Sequence, residues 1–80
     1  LDKYDRSQIG NTLEYSPSYQ TNSWVNPDTR NRFQATPRPA YQAGGQVCRN
    51  VVIDAWIDGR RQDVQAKACR TSDGRWELVQ

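Results

Sequence analysis

Residues 48–70, CRNVVIDAWIDGRRQDVQAKACR, carry a Cys-Arg pair at each end and Asp58-Gly59 between them. Asp-Gly is one of the few two-residue loops that close a hairpin through a type I′ turn, because both central residues must adopt positive φ. Runs of β-branched and apolar residues flank it, so the stretch predicts one strand over 46–57 and a second over 60–70. With Ile57 opposite Arg60, each further step outward brings the next pair together, and the count sets Cys48 opposite Cys69. By alternation this is a non-hydrogen-bonded pair, with Cα atoms about 4.5 Å apart, within reach of a disulfide. A reactive dithiol would need an electropositive neighbour on its own face, whereas Arg49 and Arg70, adjacent in sequence, point to the other. Two thiolates alone do not complete a tetrahedral metal set. The geometry therefore favours a structural disulfide and an oxidising compartment.

The same register sorts the hairpin into two faces. Val51, Ile53, Ala55, Ile57, Val64, Ala66 and Ala68 share one, which reads as the core face, with alanines small enough for a helix to approach closely. Asn50, Asp54, Asp63, Gln65 and Lys67 share the other with the cysteines. There Asp54 faces Asp63, an unfavourable like-charge pair that a bulge would relieve, and Trp56 faces Arg61, a candidate cation-π pair and partner-binding patch. Arg49 and Arg70 are diagonal neighbours at the open end. They are candidates for holding an anion or partner, or for pairing with Glu14 or other acidic helix residues with their stems on Trp76.

Elsewhere the chain alternates a single helix signal with strand and turn signals. Residues 1–15 contain no proline and set Leu1, Ile9, Thr12 and Leu13 on one arc, with Asp2 and Asp5 at the favourable end of the helix dipole. Ser16-Pro17 ends that helix. Strands follow over 19–25 and 31–41, joined by Asn26-Pro27-Asp28-Thr29, where Pro27 presets a type I turn. Pro37 and Pro39 remove ladder donors and imply a bend or a sheet edge. A last strand runs over 75–80. The expectation is one α+β domain over 1–80: an N-terminal helix packed on a four- to five-stranded antiparallel meander sheet with one disulfide.

With 80 residues, 35% apolar, the core must be thin, and its three Trp, four Tyr and one Phe carry much of the burial. There is no histidine, which removes His-dependent catalytic triads and His-bearing zinc sites. No cofactor is expected. A net charge of +2 gives no basic stripe of the kind nucleic acid requires. No apolar run is long enough to span a bilayer, no signal peptide is visible, and a start at Leu1 reads as a processed or excised piece of a longer protein.

The order and spacing of several short motifs resemble the C-terminal domain of the rickettsial 17 kDa surface antigen family of bacterial outer-membrane lipoproteins. The resemblance runs nearly end to end. It is carried by LDKYDR at the start, LEY closing the helix, SWVNPDT at the first turn, Thr36-Pro37, CR at 48, IDGR at 57, ACR at 68 and DGRWELV near the end. It implies an envelope location on the periplasmic or cell-surface side of an outer membrane. Membrane association would come only through a lipid anchor and a glycine-zipper segment that lie outside this chain. It implies no enzymatic activity. One position departs from the family pattern: Arg30 stands where glycine is usual, so Asn31, or a longer loop, is expected to supply the left-handed residue after the turn.

Three functional classes remain to be weighed. The preferred one is a non-enzymatic envelope domain acting on envelope proteins or cell-wall components, with Trp56, Arg61, Arg49 and Arg70 as the partner-binding candidates. The competing class is an inhibitor-like binding module for a soluble or envelope enzyme. An enzyme is disfavoured, since Asp54 opposite Asp63 is the one carboxylate pair available and no convergent pocket accompanies it.

Overall fold

Asp2 caps the single helix: its Oδ1 accepts from the Asp5 backbone N–H at 3.0 Å, satisfying one of the donors that every helix start leaves open. In the computed structural model, which describes residues 1–79, that helix is α1 (Lys3–Tyr15). Six strands follow: β1 (Asn22–Val25), β2 (Arg32–Pro37), β3 (Tyr41–Ala43), β4 (Gln46–Ile57), β5 (Arg60–Arg70) and β6 (Trp76–Val79). The class is α+β, as expected, and all strand pairs are antiparallel. The last residue of the strand expected over 75–80, Gln80, lies outside the described residues.

The hairpin β4–β5 pairs continuously from Ile57↔Arg60 to Cys48↔Cys69, and the two cysteines are bonded, with Cα atoms 4.0 Å apart. Asp54 does face Asp63, and no bulge intervenes. A side chain relieves the pair instead, because Arg61 reaches diagonally to Asp54.

The sheet has six strands rather than four or five because the stretch expected as one strand over 31–41 is two. Both β2 and β3 pair with the same edge of β4 and run in the same direction along it. Between them three residues, Arg38, Pro39 and Ala40, lie opposite two, Arg49 and Asn50, so the break is a bulge. Its chemistry explains its place. Arg38 donates its N–H to Asn50 at 2.8 Å, and Pro39, which follows, has none to give. The strand expected from residue 19 begins only at Asn22, since Tyr19 is held at φ 69° with its N–H on the Pro37 carbonyl at 2.7 Å.

Helix α1 covers one face of the sheet, where Trp24, Phe33, Ala35, Val51, Ile53, Ala55 and Ala68 are buried beneath Ile9 and Leu13. Trp24 and Phe33, opposite each other on β1 and β2, stack with centroids 5.4 Å apart. One residue expected in this core is not covered: Val64 is 55% exposed. A 13-residue helix that starts at the β1–β2 end and finishes over the open end of the hairpin does not reach the corner where Val64 sits.

The β1–β2 turn corrects a second expectation. Arg30 itself is left-handed, φ 65°, rather than Asn31. Its N–H bonds the Asn26 carbonyl at 2.9 Å, and Asn26 N–H reaches Asn31 O at 2.8 Å, so the loop closes with the reversal at position 30. Arg30→Gly removes the left-handed penalty and is expected to raise stability by about 1 kcal/mol, read as an upward shift of the denaturation midpoint. Replacing both cysteines with alanine opens a loop with a sequence separation of 21. The chain-entropy relation gives a loss of about 3 kcal/mol, measurable by urea titration of the oxidised protein against the double variant.

Candidate functional site

The face of the sheet away from the helix carries side chains at alternate positions: Val25 on β1, Arg32, Gln34 and Thr36 on β2, Asn50, Val52, Asp54 and Trp56 on β4, and Arg61, Asp63 and Gln65 on β5. No element of the described structure covers it. Trp56, half-buried, is its largest side chain. Its cation partner is Arg32, directly opposite on β2, whose guanidinium lies 5.1 Å from the ring centroid. Arg61, expected to stack there, faces Trp56 from the other flank but turns its Nη2 to Asp54 Oδ1 at 2.8 Å. A carboxylate two residues along the strand, itself opposed by Asp63, is the stronger attractor for that charge. Both members of this pair are solvent-accessible, so its worth is at most about 1 kcal/mol.

Open depressions flank Trp56. One, about 310 Å³, is lined by Val25, Arg32 and Gln34 on one side of the ring; the other, about 540 Å³, runs from Arg30 and Arg32 to Asp58 and Gly59 at the tips of both turns. Arg32 belongs to both. It was not among the sequence candidates, because finding it requires the β2–β4 register, which the bulge at residues 38–40 shifts by one.

Arg49 and Arg70, placed together as partner-binding candidates, have separate roles within the fold. Arg49 is buried, 7% exposed. Its Nη1 donates to the Leu13 and Ser16 carbonyls at 2.7 and 3.0 Å, and its Nε to Arg38 O at 2.9 Å. These include free carbonyls at the C-terminal end of α1, where the helix dipole favours a cation. Arg49 is thus spent inside the molecule and not presented to a partner. Arg70 Nη2 bonds Glu14 Oε1 at 2.7 Å while its guanidinium lies over Trp76, whose own N–H reaches the same oxygen at 3.1 Å.

At the other end of the helix a buried polar cluster does the corresponding job. Asp5 Oδ1 accepts from Trp24 Nε1 at 3.0 Å and from Asn26 Nδ2 at 3.1 Å. Asn26, with no exposed surface, also donates to Asp2 Oδ2 at 2.8 Å and accepts from the N–H groups of Asp28 and Thr29. The Asp5 N–H and the Asn26 amide hold the Asp2 carboxyl below its ordinary value of 3.8. A lowered folded-state value means the Asp2 contribution is present above 3.8 and is lost as the pH falls through the lowered value. Asp73 is lowered similarly, by the Thr71 hydroxyl and then by Arg75. Among the described residues, no group of three or more His, Cys, Asp or Glu could hold a metal ion.

The model of the 17 kDa outer membrane surface antigen family matches residues 11–77. This chain belongs to that family. It is 36% identical to the 17 kDa surface antigen of Rickettsia prowazekii (strain Madrid E) over 98% of its own length and 52% of that protein's. Identity is 38% to the antigens of Rickettsia rickettsii and Rickettsia felis, over 99% of this chain and 53% of each of theirs. The chain therefore spans about half the length of the curated relatives it matches. No solved structure matches it. No helix among the described residues is long and apolar enough to cross a membrane.

Arg49→Met keeps the aliphatic stem and leaves the helix-end carbonyls without a donor, so a loss of about 2–4 kcal/mol is expected on chemical denaturation. A change below about 0.5 kcal/mol would show that water replaces the guanidinium there.

Proposed function

We propose that this chain is the globular, non-enzymatic domain of an outer-membrane surface antigen, and that it acts by binding envelope proteins or cell-wall components through the face centred on Trp56. The observation that carries the reading is that stack of Arg32 on Trp56. It places an aromatic ring and a guanidinium, the groups most enriched at binding hot spots, in fixed register on an uncovered sheet face. The Arg61–Asp54 pair beside them adds polar groups of both signs at the rim. Family membership supports the envelope setting. The absence of histidine and the scatter of the carboxylates over an open surface support a binding role over a catalytic one. We place the domain on the periplasmic or cell-surface side of the membrane, tethered by a lipid anchor and an upstream segment. An oxidising location of that kind suits the Cys48–Cys69 bond.

The test is retention. The immobilised chain is exposed to detergent extracts of bacterial envelopes and, separately, to purified peptidoglycan sacculi, with Trp56→Ala and Arg32→Ala variants alongside. Retention of an envelope protein or of sacculi that falls about 10-fold or more in both variants is expected, the loss typical of a central aromatic or arginine anchor. Retention unchanged by either substitution would remove Trp56 from the function. Selective capture of one soluble enzyme, with loss of that enzyme's activity, would replace this reading with an inhibitor module.

A further inference from the structure

The open face carries a second pairing of an arginine with an aromatic ring. Arg38 donates its N–H to Asn50 O in the same register that sets Arg32 opposite Trp56, so its side chain rises on the face that carries Arg32, Gln34 and Thr36. There its guanidinium lies 5.4 Å from the centroid of the Tyr19 ring, much as that of Arg32 lies 5.1 Å from Trp56. Arg38 follows Arg32 by six residues, a span of about 20 Å at the rise of a strand. Among the described residues no carboxylate forms an ion pair with either guanidinium.

Tyr19 is strained for this placement. A bulky residue at φ 69° is an outlier, and glycine would make the same backbone bond to Pro37 O without penalty. The ring gains little burial in return, being 62% exposed. Strain kept without burial points to a side chain held for what it presents. Between the two stacks the row is neutral and polar. Thr21 and Thr36 share a hydrogen bond of 2.8 Å between their hydroxyls, and Ser23 and Gln34 line the depression of about 310 Å³ beside Trp56. Asn50, opposite Arg38, is exposed and its Oδ1 accepts from the Tyr41 hydroxyl at 3.4 Å, which leaves the amide N–H groups facing outward.

We propose that this row is a track for a carboxylate-bearing glycan strand of the cell wall, with the Arg32–Trp56 and Arg38–Tyr19 stacks at its two ends. The inference rests on the binding role of the Trp56 face and names its ligand class. Sugar rings have apolar C–H faces that lie against aromatic rings, and their hydroxyl and acetamido groups exchange hydrogen bonds with short hydroxyl and amide side chains such as those of the row. Carboxylates of the peptide-bearing substituents meet the two free guanidinia. An extended peptide fits less well, because β2 is an interior strand whose N–H and C=O groups are taken by β1 and β4, so no strand can add here. A bilayer surface fits less well too. The side chains between the rings are polar, and Asp54 and Asp63 on the same face oppose anionic headgroups.

The oxidised chain is titrated calorimetrically with soluble peptidoglycan fragments of increasing length, from a single disaccharide unit upward, with peptide stems intact. Affinity is expected to rise with length until a fragment spans both stacks and then to level off. Tyr19→Gly and Arg38→Gln should each weaken binding of the longest fragment about 10-fold or more and abolish the gain with length. Tyr19→Gly also relieves the left-handed residue, so its denaturation midpoint is expected to be unchanged or raised while binding falls, which separates lost contact from lost fold. Amidating the fragments' carboxylates should weaken binding about 10-fold or more. Binding that Trp56→Ala removes but Tyr19→Gly and Arg38→Gln leave intact overturns the track and leaves the Trp56 reading standing. So does a lack of binding to every fragment while an envelope protein, an acidic peptide or vesicles of anionic phospholipid are retained through Trp56. Binding indifferent to length or to amidation also overturns the track. Fragment binding indifferent to Trp56→Ala overturns both readings.

Discussion

The register of the β4–β5 hairpin decides which half of the sheet's side chains meets the helix. Positive φ at Asp58 and Gly59 closes a two-residue turn, and the Cys48–Cys69 bond ties the far end, so the pairing between them has no freedom to slip. A slip of one residue on β4 would carry Val51, Ile53 and Ala55 to the open face and bring Asp54 and Trp56 under the helix. It would also withdraw Arg49 from the helix end. The inner core, the Arg49 contact and the exposed Trp56 ring are consequences of one alignment.

Over that face the helix contributes little apolar surface of its own. Below it the sheet offers Trp24, Phe33, Val51 and Ile53 with three alanines, Ala35, Ala55 and Ala68, and from the helix only Ile9 and Leu13 enter the core as large side chains. Burial of this kind supplies about 25 cal/mol per Å² and is limited by the small areas involved. Docking is instead made specific by polar groups at both ends. Asp2, Asp5 and Asn26, together with the Trp24 indole, fix the N-terminal turn, and Arg49 gathers the carbonyls at the other end. Asn22 adds a bond to Thr12 in between. Each of these buried groups has its partner, which matters because an unsatisfied one would cost about 1–3 kcal/mol. The one orphan atom among the described residues is Arg70 Nε, on a side chain otherwise held by Glu14 and stacked on Trp76.

What could be read in the residues beforehand follows the range over which each signal acts. The hairpin was legible because its turn and its cysteines are all within one continuous stretch, and the pairing rule between them is local. The β2–β4 register was not. Eight residues separate β2 from β4, and the extra residue at the Arg38–Pro39 bulge changes the count by one, so Arg32 could not be set opposite Trp56 by counting. The alternation of side chains along β4 alone puts Arg49 on the helix side, but its partners are backbone carbonyls, which carry no sequence signature. Counting from the turn sets Arg61 opposite Trp56, where the structure has it. Its choice of Asp54 over the ring turned on a competition between an ion pair and a cation-π contact that spacing alone does not resolve.

The fold separates what stabilises it from what it presents. Cys48 and Trp56 lie on the same side of the same strand, eight residues apart, or about 26 Å at the rise of an extended chain. The disulfide sits at the open end beside the helix C-terminus, while the ring stands near the turn, where Arg32 approaches from β2 and Arg61 from β5. A continuous, twice-anchored strand transmits the rigidity of the staple to the exposed ring without placing any stabilising group in its way. A surface ring so held would lose little further freedom if a partner met it, and a low ordering cost favours affinity from a small surface. The thin core thus constrains function as well as stability.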